Sequence, residues 1–163
     1  NYQVFQKDTA DLFTIHPYYL KQFNKRWYLF GWSEESDKIF NLALDRIVSI
    51  EILEKKYKAN KFINFKEYFD DIIGVTKDLA EKPLDIVLLF NPNFANYIKT
   101  KPISPFQKQK ILEDGSLEVR VKLIPNKELY ALLLSYGSEV SIIKPPQLID
   151  KIKSEFKKAL AFY

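Results

Sequence analysis

His16-Pro-Tyr-Tyr-Leu-Lys-Gln-Phe-Asn-Lys-Arg-Trp-Tyr-Leu-Phe-Gly-Trp32 is the stretch of sequence that decides the fold of this chain. It predicts two short strands rich in aromatic residues, joined by a two-residue turn at Asn24-Lys25. Trp27 and Tyr28 are neighbours on the second strand, so their side chains must point to opposite faces of the sheet. The stretch therefore predicts a β-hairpin on which one of these aromatic residues packs and the other lines a surface.

Alternating apolar residues extend the pattern through two further predicted strands, 40–44 and 47–53. Several short strands in so short a segment favour a small β-barrel, which also removes exposed sheet edges. Residues 65–73 have apolar side chains at helical spacing before Gly74, which predicts a short helix. The charged segment 77–83 follows and is the predicted boundary between two domains, 1–80 and 81–163.

The second half alternates between strand and helix patterns. Residues 84–90 form an apolar run of strand length, and Asp114-Gly115 makes the turn of a hairpin over 108–124. Helical spacing returns after Pro125-Asn126 and again from Gln147 onward. The predicted order is β-α-β-β-α-β-α, which indicates a split βαβ (ferredoxin-like) arrangement with an added C-terminal helix. The predicted fold class is therefore α+β.

Three sequence motifs share the order and spacing of one protein family. His16-Pro-Tyr-Tyr-Leu20 precedes Trp27-Tyr-Leu29, and Leu44-Asp-Arg-Ile47 follows. Together they resemble the WYL-domain family, which is named for the tripeptide and consists mostly of bacterial regulators. The resemblance implies a small Sm-like β-barrel over 1–80, followed by the C-terminal extension over 81–163. It also implies a ligand on the barrel, either single-stranded nucleic acid or a nucleotide.

The composition argues against catalysis. The chain of 163 residues has one histidine and no cysteine, so a cysteine nucleophile, a thiolate metal site and a histidine pair are all excluded. Its four glycines are far apart, so a phosphate-binding glycine loop is excluded too. We therefore expect no enzyme activity, no cofactor and no metal site. No apolar run reaches the length of a membrane span, and we expect a cytoplasmic protein without a membrane partner.

Five residues are predicted to bind the ligand: His16, Tyr18, Trp27, Tyr28 and Arg46. Arginine recognises phosphate through a bidentate fork and stacks on bases. The tyrosine hydroxyls suit a wet groove, whereas Trp27 is better suited to packing. Two alternatives stay open, namely that His16 makes only a strand-end hydrogen bond and that Arg46 makes only a structural salt bridge or turn contact.

The motif match has one departure. Many relatives carry a second arginine on the strand that enters Leu44-Asp-Arg-Ile47, but here Asn41 and Ala43 provide no charge. The formal net charge of +4 comes from residues 81–163, because acidic and basic side chains balance in residues 1–80. We therefore expect weaker anion binding than in such relatives, or a different ligand.

The resemblance leads to a functional prediction and one alternative. The chain is predicted to be the ligand-sensing and oligomerisation region of a transcriptional regulator, acting as a homodimer. Because the chain starts at Asn1 and contains no methionine, we expect it to be a fragment. Duplex DNA would then be bound only by a winged helix that precedes it. The alternative is a purely structural homodimerisation module that binds no small ligand.

Overall fold

The computed structural model describes residues 1–5 and 7–163 and divides them into two compact units, Asn1–Phe65 and Lys66–Tyr163. Each unit contains one antiparallel sheet, and the three α-helices of the described residues all lie in the second unit. The chain is therefore a mixed α/β protein. The predicted domain boundary at residues 80 and 81 stays a prediction, although residues 66–80 pack with the second unit.

The first unit is built on the predicted hairpin. Strands β1 (His16–Phe23), β2 (Arg26–Ser33) and β3 (Lys38–Ala43) form a sheet in the order β1-β2-β3. Asn24 and Lys25 have φ angles of 47° and 64°, the left-handed values that a tight two-residue hairpin turn requires. The hairpin and its turn are thus confirmed.

Gly31 allows the chain before β1 to lie close against β2. A Cβ atom at Gly31 would lie 2.6 Å from Cδ1 of Ile15 and 3.2 Å from the backbone oxygen of His16. Any other residue would force Ile15 or the strand to move. This glycine therefore allows the close approach that brings His16 opposite Trp32.

Two predicted elements of the first 80 residues are wrong. Residues 48–53 form no strand, and Val48, Ile50 and Ile52 are 64%, 80% and 94% exposed. An alternating pattern forms a strand only when a neighbouring strand pairs with it. Among the described residues only Asn1 hydrogen-bonds to this segment, at Val48 and Ser49, which is too little to make a strand. The described strands of this unit form an open three-stranded sheet, supplemented by bridges from Tyr2 to Asp11 and to Ile47.

The helix predicted over residues 65–73 is replaced by a series of turns. Two backbone carbonyls near the C-terminal end of this segment accept tertiary hydrogen bonds. Ile124 donates to the Asp71 oxygen at 2.7 Å, and the Asn126 side chain donates to the Ile73 oxygen at 2.8 Å. So short a helix is marginal by itself, so these contacts decide the local structure.

The second unit has the predicted order of elements. Its strands are β4 (Leu84–Phe90), β5 (Lys108–Ile111), β6 (Leu117–Leu123) and β7 (Val140–Lys144), and its helices are α1 (Pro92–Thr100), α2 (Lys127–Ser135) and α3 (Pro146–Leu160). The sheet order is β5-β6-β4-β7. Alternate residues of β6 are buried in the core, namely Leu117, Val119, Val121 and Leu123.

Asn126 joins α2 to the segment that precedes β4. Its side-chain oxygen accepts a hydrogen bond from the Leu129 amide at 2.8 Å and so caps the helix. Its side-chain amide donates to the backbone oxygens of Ile73 and Thr76, both at 2.8 Å. One buried residue thereby satisfies three backbone groups, and this anchors residues 73–76 to the second unit.

Candidate functional site

The structure distributes the five predicted residues over separate parts of the first unit. His16 lies opposite Trp32 near one end of the hairpin, whereas Tyr28 pairs with Ala43 near the other end. Tyr28 and Trp32 are four positions apart on β2, which corresponds to about 13 Å. Arg46 follows three residues after Ala43. The sheet therefore does not gather these side chains around a single point.

His16 is buried and uses both ring nitrogens. Nδ1 accepts a hydrogen bond from the Lys58 backbone N–H at 3.1 Å, and Nε2 lies 2.8 Å from Oε1 of Glu34. Because a backbone N–H can only donate, the neutral ring carries its proton on Nε2 and donates it to Glu34. The ring also stacks on Trp32, with 5.6 Å between centroids. His16 therefore holds together three segments that are distant in sequence.

Glu34 is a site residue that the sequence did not reveal. Its carboxylate is approached by the Lys58 ammonium at 2.9 Å and the Lys55 ammonium at 3.3 Å, in addition to His16. We call these four residues the Glu34 cluster. Hydrogen bonds from Lys58, then His16, then Lys55 lower the pKa of Glu34 to about 2. Nothing in the local sequence links residues 16, 34 and 55–58, so only the tertiary fold identifies the cluster.

This lowered pKa predicts a contribution to acid stability. Because the pKa of Glu34 is lower in the folded chain than its ordinary value of 4.5, the cluster stabilises the protein above pH 4.5. The contribution is lost as the pH falls through about 2. We expect wild type to resist urea better than Glu34→Gln near neutral pH, and the difference to shrink between pH 4.5 and 2. A difference that does not change over this range would contradict the assignment.

Aromatic rings surround the Glu34 cluster. Tyr57 lies edge-on to His16 at 5.8 Å, and Phe62 lies edge-on to Trp32 at 5.7 Å. Tyr18 contacts both Tyr57 and Phe62, at 6.4 and 6.1 Å. Its hydroxyl oxygen is buried and has no hydrogen-bond partner among the described residues, and burial raises the pKa of this hydroxyl. Tyr18 therefore places an unsatisfied hydroxyl beside the cluster.

Arg46 is held in place from one side. Its Nε donates to the Gln3 backbone oxygen at 2.9 Å, and its Cζ lies 3.8 Å from the ring centroid of Phe5 and 4.7 Å from that of Tyr2. Asp45 pairs with Arg26 at 3.2 Å, and within the part of the chain that the structure describes Arg46 has no acidic partner. The alternative of a structural salt bridge is therefore wrong, although Arg46 does make a structural contact, to the Gln3 backbone 43 residues away.

Trp27 and Tyr28 lie on opposite faces, as the strand alternation predicts. Tyr28 is half-buried, whereas Trp27 is 47% exposed. The expectation that Trp27 packs is therefore wrong, because nearly half of its side chain is left in contact with solvent. Trp27 instead lines a shallow depression at the tip of the hairpin, together with Asn24, Lys25, Arg26, Leu44 and Asp45.

The described residues form neither a cluster of metal ligands nor a membrane-spanning helix. Among residues 1–5 and 7–163, no three histidine, cysteine or acidic side chains come together as metal ligands. Within the same residues, every helix is too short or too polar to cross a bilayer.

Two family models match the chain. The WYL domain matches residues 1–52, which include β1, β2, β3 and all five predicted site residues. The WCX domain matches residues 82–160, which include every strand and helix of the second unit. This chain belongs to the WYL-domain family. The WYL match contains Glu34 but ends before Lys55, Tyr57, Lys58 and Phe62, so the ring of residues around the Glu34 cluster extends beyond the family model.

One solved structure similar to this WYL-domain chain is proteasome accessory factor B/C (PafBC) of Arthrobacter aurescens. The two are 19% identical, with a TM-score of 0.45 over 99% of this chain. The chain spans 24% of the length of that structure. No curated protein sequence matches the chain.

Proposed function

We propose that this WYL-domain chain is the ligand-sensing region of a transcriptional regulator, and that it binds single-stranded nucleic acid or a nucleotide without catalysis. The main support is the geometry of Arg46. Its Nε donates to Gln3 and its Cζ lies over the Phe5 ring, so its two terminal nitrogens remain for a phosphate. A guanidinium that is already oriented loses little conformational freedom on binding.

The other predicted residues extend the proposed ligand surface. His16 and Tyr18 belong to the aromatic surroundings of the Glu34 cluster, where bases can stack. Tyr28 lies between this region and Arg46 along β2. A strand of several nucleotides is long enough to span the separation of about 13 Å. We therefore favour an oligonucleotide over a single nucleotide.

The proposed mechanism is a change of equilibrium between two states. Ligand bound to the WYL unit shifts how two subunits are arranged, and this alters the affinity of a preceding winged helix for duplex DNA. The proposal also includes two domains, an Sm-like barrel over 1–80 and a ferredoxin-like extension over 81–163. The observed strand order β5-β6-β4-β7 supports the ferredoxin-like extension. A cytoplasmic location stays a prediction.

Binding of oligothymidylate tests the proposal. Phosphate contacts release counterions, so we expect the logarithm of the affinity to fall with the logarithm of salt concentration, with a slope of about −0.7 per contacted phosphate. Fluorescence anisotropy with a labelled oligomer measures this slope. An oligomer of the same bases on an uncharged backbone is the matched control and should show a flat profile. A flat profile for both oligomers, or no binding at all, contradicts the proposal.

A homodimerisation module is the second candidate, and α3 favours it. Leu148 and Ile152 are buried in the core, but the same helical face continues through Phe156 and Leu160, which are 39% and 72% exposed. Strand β4 is strongly apolar too but offers no such surface, because Ile86, Leu88 and Phe90 are at most 1% exposed within their own unit.

We expect the chain to self-associate through the second half of α3. Sedimentation at micromolar concentration should give twice the monomer mass of 19.3 kDa. The variant Phe156→Ser with Leu160→Ser should be monomeric, because it removes the exposed apolar area. The matched control replaces Phe106 and Ile111, which are also exposed, with serine and should remain dimeric. A wild-type monomer over the whole concentration range contradicts this expectation.

A further inference from the structure

The carboxylate of Glu34 lies where three segments of the first unit meet. His16 comes from β1, Glu34 from the turn between β2 and β3, and Lys55 and Lys58 from a segment without strand or helix. The Glu34 side chain is 22% exposed, and the two lysine side chains are 48% and 56% exposed. The carboxylate is therefore reachable from solvent, and a side-chain rotation in an exposed turn is enough to withdraw it.

The donors around this carboxylate are those of a phosphate site. An imidazole N–H and one ammonium contact Oε1 at 2.8 and 2.9 Å, and a second ammonium contacts Oε2 at 3.3 Å. A phosphate offers more acceptor oxygens than a carboxylate and, as a monoester, carries a charge of about −1.5 to −2. The same three donors would hold it at least as well.

Two neighbouring features point to a ligand larger than inorganic phosphate. The hydroxyl of Tyr18 is buried and unpartnered among the described residues, although a buried O–H normally finds a partner. Trp32 and Phe62 provide aromatic surface, and the Lys58 ammonium lies 5.5 Å from the Trp32 ring centroid. Phosphate donors beside aromatic rings match the chemistry of a nucleotide.

We propose that the Glu34 cluster is a phosphate-binding site of the WYL unit, and that the Glu34 carboxylate occupies this site when no ligand is bound. Glu34 is then an internal competitor that sets the threshold for binding. This inference rests on the proposed function, since it assigns the second phosphate of the same nucleic-acid ligand. The phosphate is either a terminal monoester or a diester of the backbone.

Removing the competitor should strengthen binding. Glu34→Gln keeps the size of the side chain but loses the charge that holds both lysines. We expect its affinity for labelled oligothymidylate at low salt to rise about tenfold, the effect of one charge-assisted hydrogen bond. Glu35→Gln is the matched control, because it removes the same charge from the next, exposed residue, and its effect should stay below about twofold.

Further variants and ligands complete the experiment. Lys58→Ala added to Glu34→Gln should abolish the gain, because it removes one of the phosphate donors. Glu34→Asp keeps the charge but has a shorter side chain, so its affinity should rise less than that of Glu34→Gln. It replaces Glu34→Gln in the experiment if that variant does not fold. Oligomers with and without a 5′-phosphate distinguish the two sources: a gain only with the phosphorylated oligomer indicates the monoester, and an equal gain indicates the backbone.

The outcomes separate this inference from the proposed function. Suppose that the wild type binds the oligomer through Arg46, but that folded Glu34→Gln and Glu34→Asp bind it no more tightly than Glu35→Gln does. This result overturns the role of Glu34 and leaves the proposed function standing. Absence of binding in wild type and in every variant overturns both proposals.

Discussion

Replacing Phe90 with alanine is expected to lower the free energy of unfolding of the second unit by about 3–5 kcal/mol. Phe90 is fully buried at the end of β4, where its ring contacts those of Phe94 and Tyr136 at centroid distances of 6.1 and 5.4 Å. The strand pairs on both sides, with Leu117 and Val140, and cannot collapse into the space that the ring leaves. The cost therefore includes both lost burial and a cavity.

The two units of the chain can be followed by separate spectroscopic signals. Both tryptophans, Trp27 and Trp32, lie in the first unit, whereas the described helices lie in the second. Urea unfolding of Phe90→Ala should therefore shift the transition seen by far-ultraviolet circular dichroism. Phe106→Ala is the matched control, because Phe106 is 63% exposed. If the two variants lost equal stability, Phe90 would not have the core role described here.

The second large effect concerns Arg46. We expect Arg46→Ala to weaken oligothymidylate binding roughly ten- to a hundredfold, since a charge-assisted contact to phosphate contributes about 1.5–3 kcal/mol. The terminal nitrogens of Arg46 have no acidic partner among the described residues, so its removal leaves no buried carboxylate unpaired. Fluorescence anisotropy at low salt measures the loss.

Two controls separate recognition from charge and from folding. Arg120→Ala removes the same charge from an exposed residue of the second unit and should leave affinity within about twofold of wild type. Arg46→Lys keeps the charge but lacks the fork, so we expect it to recover only part of the affinity. Circular dichroism should show folded protein in all three cases. Equal affinity of Arg46→Ala and wild type would remove Arg46 from the proposed site.

Local patterns predicted those elements whose stability is decided locally. The Asn24-Lys25 hairpin turn, the Asp114-Gly115 turn and the alternation of β6 all appear in the structure at their expected positions. The same reasoning failed for 48–53 and 65–73. An alternating strand needs a partner strand, and a short helix is marginal unless tertiary contacts favour it. Here the tertiary contacts, such as those of Ile124 and Asn126 with residues 71 and 73, hold a series of turns instead. Both requirements are tertiary.

The residues of the candidate site also fall into two groups, those that local motifs identified and those that only the fold identified. His16 and Arg46 were selected because the sequence motifs that contain them are short and local. Glu34, Lys55 and Lys58 were missed because each is an ordinary surface charge until the fold brings it to His16. Trp27 was expected to pack because indole is large and apolar, yet burial depends on what covers a face of the sheet.

The sequence by itself determined the family, the hairpin, the order of elements in the second unit and the identity of His16 and Arg46 as candidate ligand residues. These follow from turn chemistry, from side-chain periodicity and from motifs that each span only a few residues. Only the tertiary structure decided that the Arg46 guanidinium lies over the Phe5 ring and that Glu34 lies among three donors. Such contacts join residues that are 18 to 43 positions apart in the chain, and their energy depends on distances that no local pattern encodes.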